Sequence, residues 1–319
     1  MEVQPRTSGD KKGRTHDDVV FELAGNLLAH LPPLIPKEKA KADLFNTDRK
    51  GRVNSLTTVL VQEVDRYNNL LNIIKISLTQ LQKAVKGFLV MSEKLEKIYN
   101  SFLLNLVPEA WENAAYPSLK PLGSWMKDLA LRVQFITLWL KNGAPTSFWI
   151  SGFFFPQGFL TGVLQNYARK YDFPIDHLSF DFTVLPNFRD QETYIRLMDT
   201  LKYEEIHPED RTIAIPEDGV LIHGLFMDGF RWDINTMMIA DSLSGVTMEP
   251  MPMIHMKPEM DFKPDTDRYV APLYKTSTRA GVLSTTGIST NFITAIPLPS
   301  SEPQERWISY GAALLCENV

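Results

Sequence analysis

Cysteine is almost missing from this sequence: Cys316 is the one such residue in 319. A single thiol excludes an intramolecular disulfide and a closed zinc site built on cysteines, and it fits a reducing compartment. There is no Asn-x-Ser/Thr acceptor, and the first fourteen residues are polar and basic, unlike an apolar export signal. No apolar run approaches the roughly 20 residues that a spanning helix needs. The most apolar stretch, residues 148–160, is interrupted by Gly152, Pro156 and Gly158. A phosphate loop is missing too. The nearest fragments, Tyr274-Lys275-Thr276-Ser277 and Ser284-Thr285-Thr286-Gly287, lack the glycine spacing that lets backbone N–H groups surround a phosphate. They are expected to form a Ser/Thr-rich strand pair with a turn. Neither Gly-x-Ser-x-Gly nor His-Glu-x-x-His occurs, which removes the serine-hydrolase elbow and the zincin helix.

What is present is the composition of a folded globular chain, 44% hydrophobic and 22% charged. At 319 residues it is long enough for two cores. Its net charge of −5 is unevenly spread. From residue 173 onward 11 lysines and arginines face 22 aspartates and glutamates, a balance of −11 that leaves +6 for the remainder. An acidic C-terminal part repels nucleic acid, anionic membrane and acidic filaments, because binding to polyanions depends on lysine and arginine.

The periodicity separates the chain into three stretches. Within residues 1–54, Asp17-Asp18 is placed to cap a short helix carrying Val20, Phe21, Leu23, Leu27 and Leu28, which stops at Leu31-Pro32-Pro33. Its apolar face is expected to find little to pack on within the chain, and the charged tract 37–54 reads as a linker. From Ser55 the residues Leu56, Leu60, Val64, Tyr67, Leu71, Ile74, Leu78, Leu81 and Val85 recur at spacings of three and four, one stripe on one helix roughly 45 Å long. Such a stripe most often packs on the helices that follow. Further helices are expected at 92–104, at 122–142 with Gly143 as its stop, and at 159–170. These make a helical part, residues 55–172.

After Tyr171 short β-prone runs alternate with turn residues. They fall at 178–184, 219–226, 230–234, 253–256, 269–274, 292–297 and 307–315, punctuated by Pro-Glu-Asp-Gly, Met-Asp-Gly and Ser-Gly. Strands at this spacing suggest a small antiparallel barrel or sandwich over residues 173–319. The polar stretch 187–209 reads as an insertion, helical over 191–203. The expected fold is therefore α+β, a helical bundle with one long helix followed by a small antiparallel β-barrel or sandwich.

Candidate chemistry is sparse. His223 and His255 sit in apolar strand-like runs and could approach one another as metal ligands, although a core histidine satisfied by a backbone partner is the commoner explanation. Asp265 and Asp267 suggest a carboxylate pair or, more simply, a solvated turn. Asp176 and Asp181 flank His177 and Ser179, but alternation along a strand makes them a poor triad. Seven of the 12 methionines lie between Met237 and Met260, either as an adaptable docking patch or as gap-filling in a core. Phe153-Phe154-Phe155-Pro156 is expected at a buried junction. No residue is assigned a catalytic, cofactor-binding or metal-ligating role.

Longer strings carry more information. They run from Val59-Leu-Val-Gln-Glu-Val-Asp-Arg-Tyr-Asn-Asn-Leu70 and Leu78-Thr-Gln-Leu-Gln-Lys-Ala-Val-Lys-Gly87 to Tyr116-Pro-Ser-Leu-Lys-Pro-Leu-Gly-Ser-Trp125 and Phe148-Trp-Ile-Ser-Gly-Phe-Phe-Phe-Pro-Gln157. Pro216-Glu-Asp-Gly-Val-Leu-Ile-His-Gly-Leu225, Pro252-Met-Ile-His-Met-Lys-Pro258, Leu283-Ser-Thr-Thr-Gly287 and Ala312-Ala-Leu-Leu-Cys316 follow. In this order they resemble the C-terminal domain of dynein heavy chains, of axonemal type, with residues 2–54 similar to the end of the sixth AAA+ module. The resemblance implies a non-catalytic module lying on the AAA+ ring of a microtubule motor, bracing that ring and modulating motility or force. The alternative is a docking module for light or intermediate chains or other axonemal partners. It also implies no cofactor, partners among the ring modules of the same heavy chain, contact with microtubules only indirectly, and a place on the cytoskeleton, in the ciliary axoneme.

Overall fold

The computed structural model describes residues 14–185 and 215–317, apart from residues 266, 284, 286 and 288. The polar stretch 187–209 and its expected helix lie outside them. The chain packs as two units. The first comprises the described residues of Met1–Lys41 together with Leu60–Lys141, and the second those of Ala42–Val59 with Asn142–Val319.

In the first unit α1, His16–His30, begins with a capping box: Thr15 accepts the Asp18 N–H while the Asp18 carboxylate accepts the Thr15 N–H. The expectation that its apolar face lacks a partner is wrong. Val20 and Ala24 are fully buried, Tyr99 of α3 (Glu93–Leu103) donates to Asp17 at 2.7 Å, and Gly25 lies against Gln82, where an added Cβ would come within 2.9 Å of the amide nitrogen. The long helix α2, Ser55–Val85, has the predicted bounds, with Asn54 accepting the Leu56 N–H as its cap. Leu60, Val64, Tyr67, Leu71, Ile74, Leu78 and Leu81 are buried, so the stripe packs inside the chain. A short α4, Glu109–Glu112, carries Trp111, whose indole N–H donates to Ser77 at 2.9 Å. Helix α5, Leu122–Asn142, ends where Gly143 takes φ +94°, as its sequence predicts.

The second unit opens around α6, Pro156–Tyr171, which starts with proline at its first turn and ends at Asp172 in the left-handed conformation. Gly162 permits close approach, since a Cβ there would sit 3.2–3.3 Å from Val59 and Leu56. Asn166 accepts the Ser55 N–H and donates to Asn54. Among the described residues eleven short strands follow the order β1 (Ser147–Trp149), β2 (Leu178–Val184), β3 (Val220–His223), β4 (Phe226–Asp228), β5 (Arg231–Asp233), β6 (Met238–Ala240), β7 (Met248–Pro250), β8 (Ile254–Met260), β9 (Arg268–Tyr274), β10 (Phe292–Pro299) and β11 (Ala313–Leu315). Helix α6 packs on β2, β8 and β10.

These strands do not close into the expected antiparallel barrel. They form a four-stranded sheet in the order β1-β3-β8-β2, a five-stranded sheet in the order β10-β9-β11-β4-β7, and the hairpin β5-β6. A barrel requires every edge to find a partner; here β1, β2, β10 and β7 remain edges. The sheets are also mixed, because β1 pairs parallel with β3 and β11 parallel with β9. Parallel pairs need long crossovers, and both pairs join strands far apart in sequence. Strands β3 and β11 are buried at every residue, whereas β2, at an edge, and β9, between β10 and β11, alternate between buried and part-exposed. The expected strand over 307–315 divides, with Trp307 in α7 (Gln304–Ser309) and Gly311 at φ +64° before β11. Trp307 donates to Ser300 at 2.8 Å and is ringed by Phe230, Tyr269 and Tyr310.

Leu71 is 1% exposed in the middle of the α2 stripe. Leu71→Ala is expected to cost about 2–5 kcal/mol, by lost transfer energy and the cavity it leaves, read as a lower midpoint in urea unfolding with little change in slope.

Candidate functional site

The densest polar arrangement in the first unit is buried. Asp128 and Arg132 lie one turn apart on α5, with the guanidinium Nε 2.5 Å from one carboxylate oxygen and Lys120 Nζ 2.9 Å from the other. The Arg132 guanidinium lies over the Tyr116 ring at 3.7 Å, and that ring stacks on Trp125, which stacks on Trp111, which meets Phe102 edge-on. Tyr67 of α2 reaches the same cluster through Tyr116. Burial works to raise the Asp128 pKa, but Arg132 and Lys120 overcome it and hold the carboxyl below its ordinary value. Burial opposes the charge of Arg132, and Asp128 outweighs it, so the guanidinium stays charged. Burial pushes the phenols of Tyr67 and Tyr116 up, away from ionisation. Both oxygens of Asp128 are engaged, and Asp128 and Arg132 stay charged and the two phenols neutral at neutral pH. Chemically the cluster can fix four helical segments, α2 to α5, against one another. Sequence reading passed over it because Asp128 and Arg132 flank the apolar positions Leu129 and Val133; the signal was an Asp–Arg pair four apart on an otherwise apolar helix.

The residues singled out from sequence are not brought together into a reactive centre. His223 ends β3 and its Nδ1 is 3.0 Å from Ser147 Oγ of β1, whereas His255 on β8 has Nε2 2.9 Å from the Asp218 carbonyl oxygen. Each imidazole thus has its own partner. Burial pushes the His223 ring down to about 3, so it is neutral at neutral pH. His177 turns to Asp261 at 3.1 Å, and Ser179 donates to the Phe262 carbonyl oxygen; Asp181 instead faces Arg268. Asp265 also pairs with Arg268, at 3.8 Å. Thr276 is buried, and Asn291 accepts its N–H and donates to its hydroxyl, occupying the backbone that a phosphate would require. Ser284 and Thr286 lie outside the described residues. Met251, Met253 and Met256 are buried and Met260 is exposed. Phe153 stacks on Phe159 at 4.5 Å, while Phe155 is exposed. Among the described residues no three His, Cys, Asp or Glu side chains come together as metal ligands, and no helix is long and apolar enough to cross a membrane.

The described residues thus combine a long helix with a buried stripe, open mixed sheets and a buried ionic cluster, and the comparisons give the family. The family described as the C-terminal domain of dynein heavy chains matches residues 1–316, and the chain belongs to it. Its similarity to the human Dynein axonemal heavy chain 6 is 54% identity over 99% of this chain and 8% of that protein. The human Dynein axonemal heavy chain 3 is 44% identical over 98% of this chain and 7% of its own length. The mouse Dynein axonemal heavy chain 1 is 43% identical over 99% and 7%. The chain therefore spans less than a tenth of the length of these relatives. The matched segment is the C-terminal domain and not an AAA+ ATPase module.

Arg132→Met, which leaves the buried Asp128 carboxylate with Lys120 as its remaining cation, is expected to cost about 3–5 kcal/mol. The double variant Asp128→Leu/Arg132→Met is expected to recover much of that loss, measured by denaturant unfolding of both. The native His223 binds fewer protons than the unfolded chain between about pH 3 and its ordinary value of 6.5. Stability is therefore expected to fall on acidification through that window, by about 1.4 kcal/mol per pH unit at the steepest. Urea unfolding of His223→Asn at several pH values is expected to show a flatter profile.

Proposed function

We propose that this chain is a non-catalytic structural and regulatory module of an axonemal dynein heavy chain, one that braces the AAA+ ring and tunes velocity or force while nucleotide chemistry proceeds elsewhere. The observation that carries this reading is the outer face of α2. Gln62, Asp65, Asn69, Asn72, Ile76, Gln80 and Lys83 are exposed at spacings of three and four, opposite the buried stripe. Four of the seven are neutral amides, and Asp65 is paired with Lys37. Side-chain amides both donate and accept hydrogen bonds without the desolvation cost of a charge, so such a face suits prolonged contact with neighbouring protein. A helix of 31 residues runs roughly 46 Å, long enough to touch more than one neighbouring module.

The reading also draws on the relatives, which are named as axonemal dynein heavy chains. It places the chain on the cytoskeleton of the cilium, with the ring modules of its own heavy chain as partners and the microtubule reached indirectly. Along the sequence it divides the chain into the end of a preceding module and linker at 1–54, a helical part at 55–172 and a β part at 173–319. Docking of light or intermediate chains through the methionine-rich segment finds less support, since Met251, Met253 and Met256 are committed to the interior.

The test is a heavy-chain motor carrying Gln62→Lys, Asn69→Lys and Asn72→Lys. Gliding velocity or stall force is expected to change while nucleotide affinity and the melting temperature do not. Unaltered velocity and force would count against the brace.

A further inference from the structure

The connection between α2 and α3 exposes four consecutive large apolar side chains. Phe88 is 84% and Val90 85% exposed, and Leu89 and Met91 are 41% and 38% exposed. The tip is held from both sides. Gly87 takes φ +76° and its N–H bonds to the Ala84 carbonyl oxygen, while the Phe88 N–H bonds to that of Lys83 at 2.9 Å. This is a helix C-terminal cap in which the residue after glycine ordinarily packs back on the helix; here Phe88 points outward instead. On the other side Ser92 caps α3 by accepting the Leu95 N–H. The apolar residues are thus presented by two capped helix ends. In the flanking sequence the exposed Lys83, Lys86, Lys94 and Lys97 outnumber the exposed Glu93 and Glu96. Lys86 lies over the Phe21 ring and Lys97 pairs with Glu93.

We propose that the 88–91 tip is a docking knob that inserts into an apolar pocket with an acidic rim on another domain of the same heavy chain. Contiguous exposed apolar surface rimmed by charge marks an interaction site, and the convex, capped shape calls for a concave partner. The lysine collar calls for carboxylates around that pocket. The relatives are more than ten times longer than this chain, so most heavy-chain surface lies outside it. Covalent linkage gives any complementary pocket there a high effective concentration, which favours an intramolecular partner over a separate one. An anionic bilayer fits less well, because Glu93 and Glu96 would be carried to its surface with the knob. The inference rests on the brace reading and names its point of attachment.

The experiment uses the intact heavy chain with Val90→p-benzoylphenylalanine. Photo-cross-linking is expected to join position 90 to a peptide of the same polypeptide, outside residues 1–319 and rich in aspartate and glutamate. Tryptic cleavage after Lys86 and Lys94 in the intact heavy chain is expected to rise by about tenfold or more in Phe88→Ser/Val90→Ser as the knob is released, with no fall in melting temperature. Cross-links solely to a separate protein would overturn the proposal. So would Phe88-dependent sedimentation with phosphatidylserine vesicles, or equal cleavage of parent and variant. If the amide-face variants above change velocity while position 90 fails to cross-link within the chain, the knob falls and the brace stands. The converse result removes the brace and keeps the contact.

Discussion

A guanidinium removed from water must be met by a carboxylate and by further donors and acceptors, or the fold loses several kcal/mol of stability. In the first unit Arg132 meets that requirement with Asp128 below and the Tyr116 ring across its face, and Lys120 takes the remaining carboxylate oxygen. The aromatic series from Phe102 through Trp111 and Trp125 to Tyr116 seals the cluster from solvent. A directional network of this kind tolerates one mutual arrangement of its helical segments, where an all-aliphatic core would admit several.

The second unit solves a different problem. Its strands are three to eight residues long, and no single sheet is large. Two interior strands, β3 and β11, are buried along their whole length and each joins a distant strand in parallel. His223 ends β3, buried, neutral and hydrogen-bonded to Ser147. Arg279 ties the loop after β9 to β4 and to the turn before β11, through Asp228 and the Gly311 carbonyl oxygen. Polar groups in this unit serve to fix loops, which agrees with membership of a domain family separate from the ATPase modules.

The outer surfaces differ in character from these interiors. One face of α2 is rich in neutral amides, and the loop that follows it is apolar and held at both ends. Neither pattern serves folding of the chain itself. Both suit contact with neighbouring protein.

The longer helices and the family were legible in the residues alone. The α2 stripe at spacings of three and four, the helix beginning near Ser92 and Gly143 as a stop are local signals, because helical hydrogen bonds and caps join residues at most a few positions apart. The alternation of β2 was equally legible. It took the folded arrangement to establish that the sheets stay open, that β1 joins β3, that α1 has a partner in α3, and that Asp128 and Arg132 lie inside. Each of these depends on what stands opposite a residue across the fold, and pairing between segments distant in sequence leaves no periodic trace in either one.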